Sequence, residues 1–317
     1  MNAAAAMPIP EAGNAARYAQ VVRLSKRAEW QIDRDLLHGR TFDVSRKFLP
    51  DGLSRIDRLT FLSVEQARLL SQIQGRTYAY IFGLVERFIS AKMLDQSRAH
   101  VFGDQLALEA LLRFSNDEIK HQELFRRIET MIGTRLPPGY RQVADSNDVA
   151  RAVLSASTWS VLALTCHIEL FVQAHYAETI AAQEDLCPLF KDVFKYHWKD
   201  ESQHVVLDEL EWKDEHAKLS PSDHDQAVND LIALFAAVDG ILQSQSASDA
   251  DYFILNVSRS FSAEETAQVK SSVLDAYRWQ YVVSGIRHPH FDRLLRSMTN
   301  AAQMLRIQTA LAPIIIT

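Results

Sequence analysis

A short acidic motif occurs twice in this chain, and each copy has the same upstream partner at the same distance. The motif reads DEIKH at residues 117–121 and DESQH at residues 200–204. A glutamate in an apolar stretch, Glu86 or Glu169, stands 32 residues before the glutamate of each copy (118 − 86 and 201 − 169). The steps from 86 to 169, from 118 to 201 and from 121 to 204 are all 83, so the set repeats as a unit.

This repeat constrains the fold because the Glu-x-x-His spacing brings both side chains to one side of a helix. Residues three apart are neighbours on a helix surface. Two such pairs, with one glutamate from each of two further helices, form the ligand set of a dinuclear carboxylate metal site inside a four-helix bundle. The candidate ligands are Glu86, Glu118, His121, Glu169, Glu201 and His204. We therefore expect two metal ions inside a bundle.

The charge of this set suits two divalent cations. The four glutamates stand among apolar residues, and an unpaired buried carboxylate costs several kcal/mol, so buried charges are paired or bind metal. Two divalent ions balance four carboxylates, and neutral imidazoles complete the ligand set. Such donors favour iron or manganese, whereas a structural zinc site would be expected to contain thiolates.

The residues beside the motifs predict a supporting layer. Metal-bound histidines usually donate their second N–H to a carboxylate. Asp117 and Asp200 are placed to accept these bonds, each from the histidine on the partner helix. Lys120 and Lys199 are expected to face solvent or to form surface ion pairs.

A less specific interpretation is open for each residue taken alone. A single Glu-x-x-His pair in a helix is commonly a surface pair. Glu86 or Glu169 could be a core glutamate paired with an arginine such as Arg87 or Arg113. The recurrence of the whole set at one offset argues against coincidence.

His197 breaks the symmetry between the two copies. It lies four residues before Glu201 and seven before His204, so the three share one helix face. The position 83 residues earlier is Phe114. His197 is therefore a candidate seventh ligand on one metal ion, and the alternative is a core histidine close to the site.

Helical signals continue along the whole chain and predict an all-α fold. A capping box at Ser63 opens the first long helix, and no strand alternation persists. The expected helices lie at about 16–37, 63–94, 99–132, 145–183, 188–217, 220–244, 262–285 and 291–311. We expect a disordered N-terminus over 1–14 and a single helical domain over 15–317. Within it, the metal-binding core spans about 63–217 and a C-terminal helical extension spans about 220–317.

Composition excludes several functional classes. The net charge is −6 and no basic run occurs, so neither nucleic acid nor an anionic membrane is an expected partner. No uncharged apolar run of 18 residues is present, which argues against a membrane span. Cys166 and Cys187 show no disulfide pattern, which fits a reducing, cytoplasmic location.

The pattern E…DExxH…E…DExxH resembles that of the ferritin-like di-iron carboxylate superfamily over about residues 63–217. Within it, HWKDESQH at 197–204 is most similar to the p-aminobenzoate N-oxygenase family, which has an additional histidine four residues before the last glutamate. The segment VERFISAKML around Glu86 and the DEIKH motif fit that family as well. The resemblance implies a ferritin-like four-helix bundle with additional N- and C-terminal helices and two iron ions. The implied ligands are Glu86, Glu118, His121, Glu169, His197, Glu201 and His204.

The resemblance implies a di-iron oxygenase that uses O₂ to oxidise a small organic substrate, with an amine favoured if His197 binds metal. Manganese is an alternative at one or both metal positions, an electron donor is required, and a homodimer is an expectation. One alternative is a ferritin-like protein that binds or oxidises metal without an organic substrate. Another is a radical protein with Tyr78 or Tyr80 near the metals, although Phe125 stands where the reductase subunits carry their radical tyrosine. An apolar, substrate-sized cavity beside the metals would favour the oxygenase.

Overall fold

The computed structural model describes residues 13–315, and this part of the chain is built from helices. Its one pairing of strand type is an isolated bridge between Lys47 and Leu186. The all-α prediction is confirmed. The α-helices are α1 (Asn14–Arg27), α2 (Asp51–Ser54), α3 (Val64–Ser97), α4 (Gln105–Gly133), α5 (Ser146–Leu154), α6 (Thr158–Ala174), α7 (Pro188–His216), α8 (Pro221–Leu255), α9 (Ala263–Arg278), α10 (Ser284–Ile286), α11 (Pro289–Ser297) and α12 (Ala301–Ile315).

Four long helices, α3, α4, α6 and α7, carry the paired motifs and pack against one another. Helix α3 packs along α4, α6 packs along α7, and further contacts join α4 to α7 and α3 to α6. The predicted capping box is present: the Ser63 hydroxyl accepts from the backbone N–H of Gln66, whose side chain accepts from the N–H of Ser63. Pro188 occupies the first turn of α7, where its missing N–H costs nothing. This packing is compatible with the predicted four-helix bundle.

The predicted continuous helix over 145–183 is wrong. The chain leaves the helix after α5, and α6 begins at Thr158. Serine hydroxyls compete with backbone hydrogen bonds inside helices. Ser155 here bonds the carbonyl of Ala152, and the N–H of Ser157 donates to Asp230 on α8 (3.0 Å). A contact with a distant helix therefore stabilises the break.

The predicted helix over 16–37 is also interrupted. Helix α1 ends at Arg27, and a short π-helical turn covers Ile32–Leu37. His38 and Gly39 follow with positive φ angles of 45° and 74°, which stop the turn as the glycine suggested. The interruption places Trp30 in the core, with 5% of its surface exposed.

The C-terminal helices pack onto the bundle, with α8 against α6 and α3 and with α9 against α8. Helix α8 extends beyond the predicted end at 244, and the last predicted helix, 291–311, is divided into α11 and α12. The predicted disorder over 1–14 falls mostly on residues 1–12, which lie outside the described residues, and Asn14 already begins α1. The division into a core and an extension of a single domain stays a prediction. Cys166 and Cys187 are buried and free.

Among the described helices, α8 alone is long and apolar enough to cross a membrane by length and composition. The core helix of a soluble protein passes the same test. Asp239, within this helix, forms an ion pair with Arg278 on α9 (2.7 Å).

Candidate metal centre

The structure brings all seven predicted ligand residues together between the four long helices. Each is buried, with no more than 2% of its surface exposed. Helix α3 supplies Glu86 and α6 supplies Glu169. The other two helices supply the pairs and the additional histidine, which are Glu118 and His121 from α4, and His197, Glu201 and His204 from α7.

These side chains form two overlapping groups, each able to surround one metal ion. Within each group the candidate ligand atoms lie within 4.8 Å of one another. The first position consists of Glu86, His121, His197 and Glu201; the second consists of Glu118, Glu169, Glu201 and His204. Glu201 belongs to both, as a bridging carboxylate must. We refer to these groups as the first and second metal positions.

His197 lies within the first position. Its Nε2 atom is 2.7 Å from Oε1 of Glu201 and 3.1 Å from Oε1 of Glu86. At the second position, Nδ1 of His204 lies 2.7 Å from Oε2 of Glu201 and 2.9 Å from Oε1 of Glu118. One ring nitrogen of each histidine therefore points at carboxylate oxygens, and each position presents a mixed nitrogen and oxygen donor set.

Several carboxylate oxygens of the centre lack hydrogen-bond donors, which favours the binding of cations. Among residues 13–315, both oxygens of Glu118 and one oxygen each of Glu169 and Glu201 have no hydrogen-bond donor. Burial raises the pKa of Glu169 well above its usual value, and the charge of Glu201 adds to the rise. Burial acts to lower the pKa of His204, but Glu201 and Glu118 outweigh it and raise that pKa well above its usual value. Two divalent ions would balance the four glutamates, so the donor set fits a dinuclear metal site.

Each flanking aspartate contacts the histidine of the partner helix. Oδ2 of Asp200 lies 3.0 Å from Nε2 of His121, and Oδ2 of Asp117 lies 3.7 Å from Nε2 of His204. Each contact uses the ring nitrogen turned away from the other carboxylates. The arrangement can hold both imidazoles in a fixed orientation and tautomer.

Sequence reasoning misplaced one partner of these aspartates and missed another. Lys120 does not face solvent: its Nζ atom lies 2.7 Å from Asp200 and 3.2 Å from Asp117, and 19% of its side chain is exposed. The indole N–H of Trp30 donates to Oδ2 of Asp200 (2.8 Å). The ammonium of Lys120 also lies 4.5 Å from the Trp30 ring centroid. These contacts cross between distant parts of the chain, and no local pattern signals them.

Phenylalanines and one further acid lie at the two ends of the centre. The Phe114 ring stacks on His204 with centroids 3.7 Å apart, and the Phe125 ring lies 4.9 Å from that of His197. Asp208, four residues after His204, is fully buried, and neither of its oxygens has a hydrogen-bond partner among the described residues. Asp208 is not among the residues predicted for the site, although its spacing from Glu201 and His204 places it on the same face of α7.

The tyrosines considered for a radical role are engaged elsewhere. The hydroxyl of Tyr78 hydrogen bonds to Nδ1 of His175 (2.8 Å), and the Tyr78 ring packs against Phe82. The hydroxyl of Tyr80 donates to the carbonyl of Ala144. Neither hydroxyl is bonded to a candidate ligand.

An apolar cavity of about 410 Å³ lies between α3, α5, α6 and α8. Its lining includes Leu84, Val85, Phe88, Ile168, Leu234 and Tyr281. Along α3 the lining residues fall at 81, 84, 85 and 88, which is one helix face, and Glu86 lies on the other. The cavity therefore shares helices α3 and α6 with the metal centre but lies behind them.

The sequence matches no family model and no curated protein in comparisons with known proteins. The likeness to ferritin-like di-iron proteins therefore depends on the motifs and on the buried groups of glutamate and histidine. Those groups could hold metal ions in a helical fold, and both features are compatible with that superfamily.

Proposed function

We propose that this protein is a non-haem di-iron oxygenase that uses O₂ to oxidise a small organic substrate. The observation that carries the proposal is the pair of overlapping metal positions that share Glu201, with His197 as an additional nitrogen donor at the first. The resemblance of HWKDESQH to the N-oxygenase family makes an amine the favoured substrate. Manganese is an alternative to iron, since carboxylate and imidazole donors suit both.

The protein residues would fix the geometry and the environment of the ions. Glu201 would contribute its carboxylate to both positions. Asp200 hydrogen bonds to His121 and so fixes that ring, Asp117 lies 3.7 Å from His204, and the burial of all ligands keeps bulk water away. Bound iron would supply the redox chemistry that activates O₂. The required partners are O₂, the substrate and an external electron donor.

The apolar cavity supports a substrate of matching size and polarity. A volume of about 410 Å³ falls in the range of small-molecule sites. The cavity shares α3 and α6, the helices of Glu86 and Glu169, with the metal positions. The substrate we propose is therefore small and mostly apolar.

A second candidate function is metal binding or metal oxidation without an organic substrate. The position of the cavity favours this candidate, because the cavity opens behind the two helices and not onto the metal positions. The two candidates share the metal centre and differ in what is oxidised.

Isotope labelling separates the candidates. Protein loaded with iron would be reduced without oxygen and then exposed to ¹⁸O₂ with a panel of aromatic amines and uncharged aromatic compounds. The oxygenase proposal expects label in an organic product, and mass spectrometry measures it. Oxidised iron retained by the protein, with no labelled product from any compound, would favour metal oxidation.

The variant His197→Phe gives a matched control, because it reproduces the residue that the first copy carries at Phe114. If His197 directs the chemistry, the variant keeps bound iron but yields much less labelled product. Unchanged product formation would remove His197 from the proposal. Bound iron is measured by elemental analysis of the same samples.

A further inference from the structure

The repeat offset reveals a second break in symmetry at the other end of the centre. Adding 83 to 114 gives His197, and adding 83 to 125 gives Asp208. Phe125 lies against His197 at the first metal position, and Phe114 stacks on His204 at the second. Each end thus combines a phenylalanine from α4 with a polar residue from α7. The polar residue is His197 at one end and Asp208 at the other.

Asp208 is buried without the partners that a structural acid would have. It has no exposed surface, and both carboxyl oxygens lack hydrogen-bond partners among residues 13–315. The charged groups that act on it are His204, Glu118 and Glu201, which are members of the second position, and Glu211 further along α7. Because burying an unpaired carboxyl is costly, its presence calls for a partner that the protein itself does not supply.

Glu211, three residues further along α7, shows what a structural acid looks like on the same helix. It is 2% exposed, yet it accepts a hydrogen bond from the hydroxyl of Tyr18 (2.7 Å) and lies 3.5 Å from Nε2 of His100. Its burial is compensated by side chains of this chain. Burial alone therefore does not distinguish the two acids, and the difference lies in their partners.

We propose that Asp208 is a positioning residue of the second metal position, where its carboxyl group orients the surroundings of the ion and strengthens its binding. The proposal rests on the proposed metal centre. Asp208 is not a member of the group whose ligand atoms lie within 4.8 Å of one another, and its oxygens bond no described residue of that group, so it acts through the charge of its carboxyl group and not as a direct ligand. Partners of this kind typically account for 10–100-fold in metal affinity, an order-of-magnitude range.

One consequence is that the two positions differ in chemical character. The first has two imidazoles, from His121 and His197, whereas the second has one, from His204, with Asp208 beside it. Carboxylates favour harder ions such as manganese, and imidazoles favour later transition metals. Asp208 therefore increases the preference of the second position for the harder ion.

Metal titration tests this role without any measurement of activity. Metal-free protein would be titrated anaerobically with Co²⁺, followed by its absorption bands and by calorimetry. We expect wild-type protein to bind in two steps. In Asp208→Asn one step should weaken by roughly 10–100-fold while the other is kept. The Tm of the metal-free variant should be no lower than that of wild type, because a buried unpaired carboxyl has been removed.

Glu211→Gln is the matched control, a buried acid of the same helix that has partners. It should lower the Tm of the metal-free protein and leave both cobalt steps unchanged. Asp208→Leu, with similar volume and no polar atoms, gives a second variant, and it should weaken the same step.

Two cobalt steps of wild-type affinity in both Asp208 variants would overturn the proposal. A lower Tm in both variants with unchanged cobalt binding would overturn it as well, since it would make Asp208 a structural acid. Failure of the wild-type protein itself to bind cobalt would overturn the proposed metal centre, and the Asp208 role with it. The wild-type titration therefore distinguishes the two failures.

Discussion

Asp249 with its hydrogen-bond donors and the acids of the candidate metal centre form two buried groups. They differ in how the carboxyl groups are compensated. Asp249 on α8 is fully buried, and each of its oxygens has donors. Oδ2 accepts from the hydroxyls of Thr77 (2.5 Å) and Tyr277, and Oδ1 accepts from the amide of Gln245 (2.8 Å). In the metal centre, by contrast, four carboxylate oxygens have no donor among the described residues.

The difference separates a structural acid from acids that could bind metal, although both groups share helix α3. The Thr77 hydroxyl donates to Asp249, and Glu86, nine residues later (86 − 77), belongs to the first metal position. A buried carboxyl whose donors come from the chain stabilises the fold without help. A group of carboxylates without donors raises the energy of the fold until cations bind. Removal of an acid should therefore change metal content only in the second of these groups.

The largest effect is expected for Glu201→Gln, because Glu201 belongs to both metal positions. Both ions should be lost, with affinities lowered by more than about 100-fold, since supporting residues alone account for up to that range. The metal-free variant should unfold at a lower Tm than wild type, because Glu201 lies 2.7 Å from Nε2 of His197 and from Nδ1 of His204 and the substitution weakens both pairs. Elemental analysis and thermal unfolding check the two parts. Retention of both ions would refute the assigned bridging role.

Asp249→Leu should lower stability without changing metal content. It removes the shared acceptor of Thr77, Tyr277 and Gln245, although Gln245 keeps its bond to the carbonyl of Arg141, and unpaired buried donors cost about 1–3 kcal/mol. The free energy of unfolding should fall by roughly 3 kcal/mol, while metal content stays at the wild-type level. Denaturant unfolding measures the first quantity. Loss of metal in this variant would show that the two groups are coupled.

The pH dependence of stability gives a smaller effect of known sign. Burial raises the pKa of Asp249 from 3.8 to about 7, although its hydrogen-bond donors oppose the rise. The stability that the protonated acid provides is complete below pH 3.8 and is lost as pH rises through 7. Between pH 6 and pH 8 this group should therefore lower the free energy of unfolding by about 1.4 kcal/mol.

Asp249→Asn isolates that contribution, because it removes the titrating group and keeps the shape. The difference in unfolding free energy between wild type and variant should change by the stated amount across this pH range. A difference that stays constant across this range would show that Asp249 titrates outside it.

The metal centre could be assembled from sequence because its members repeat at a fixed helical spacing. Each Glu-x-x-His pair lies within one helix, where residues three apart are neighbours, and Glu86 and Glu169 stand at one distance in sequence from these pairs. Helix starts at Ser63 and Pro188 followed from local hydrogen-bonding rules in the same way. Periodicity and caps are local properties, and both are visible in a single sequence.

Features that depend on distant contacts could not be obtained this way. The break before α6 is stabilised by Asp230, 73 residues away. Trp30 meets Asp200 across 170 residues, and nothing near Trp30 marks it as part of the site. Asp208 is a different case, because its position four residues after His204 is visible in the sequence. Its burial and its lack of hydrogen-bond partners, which associate it with the site, are properties of the fold.

Trp30→Phe should have the smallest effect. It removes one partner of Asp200, an acid that combines features of both groups. Asp200 is next to the metal centre, yet it has three partners: the indole N–H of Trp30, the ammonium of Lys120 and the ring of His121. The substitution removes one donor and keeps an aromatic ring in the core, so the expected loss of stability is about 1 kcal/mol. Affinity at the first metal position should fall only a few-fold, since Lys120 still holds the carboxylate that orients His121. Cobalt titration and denaturant unfolding measure both changes. A loss of metal as large as that in Glu201→Gln would show that Asp200 depends on the indole for its position. Asp200 would then belong with the acids of the metal centre, which lack some of their hydrogen-bond donors.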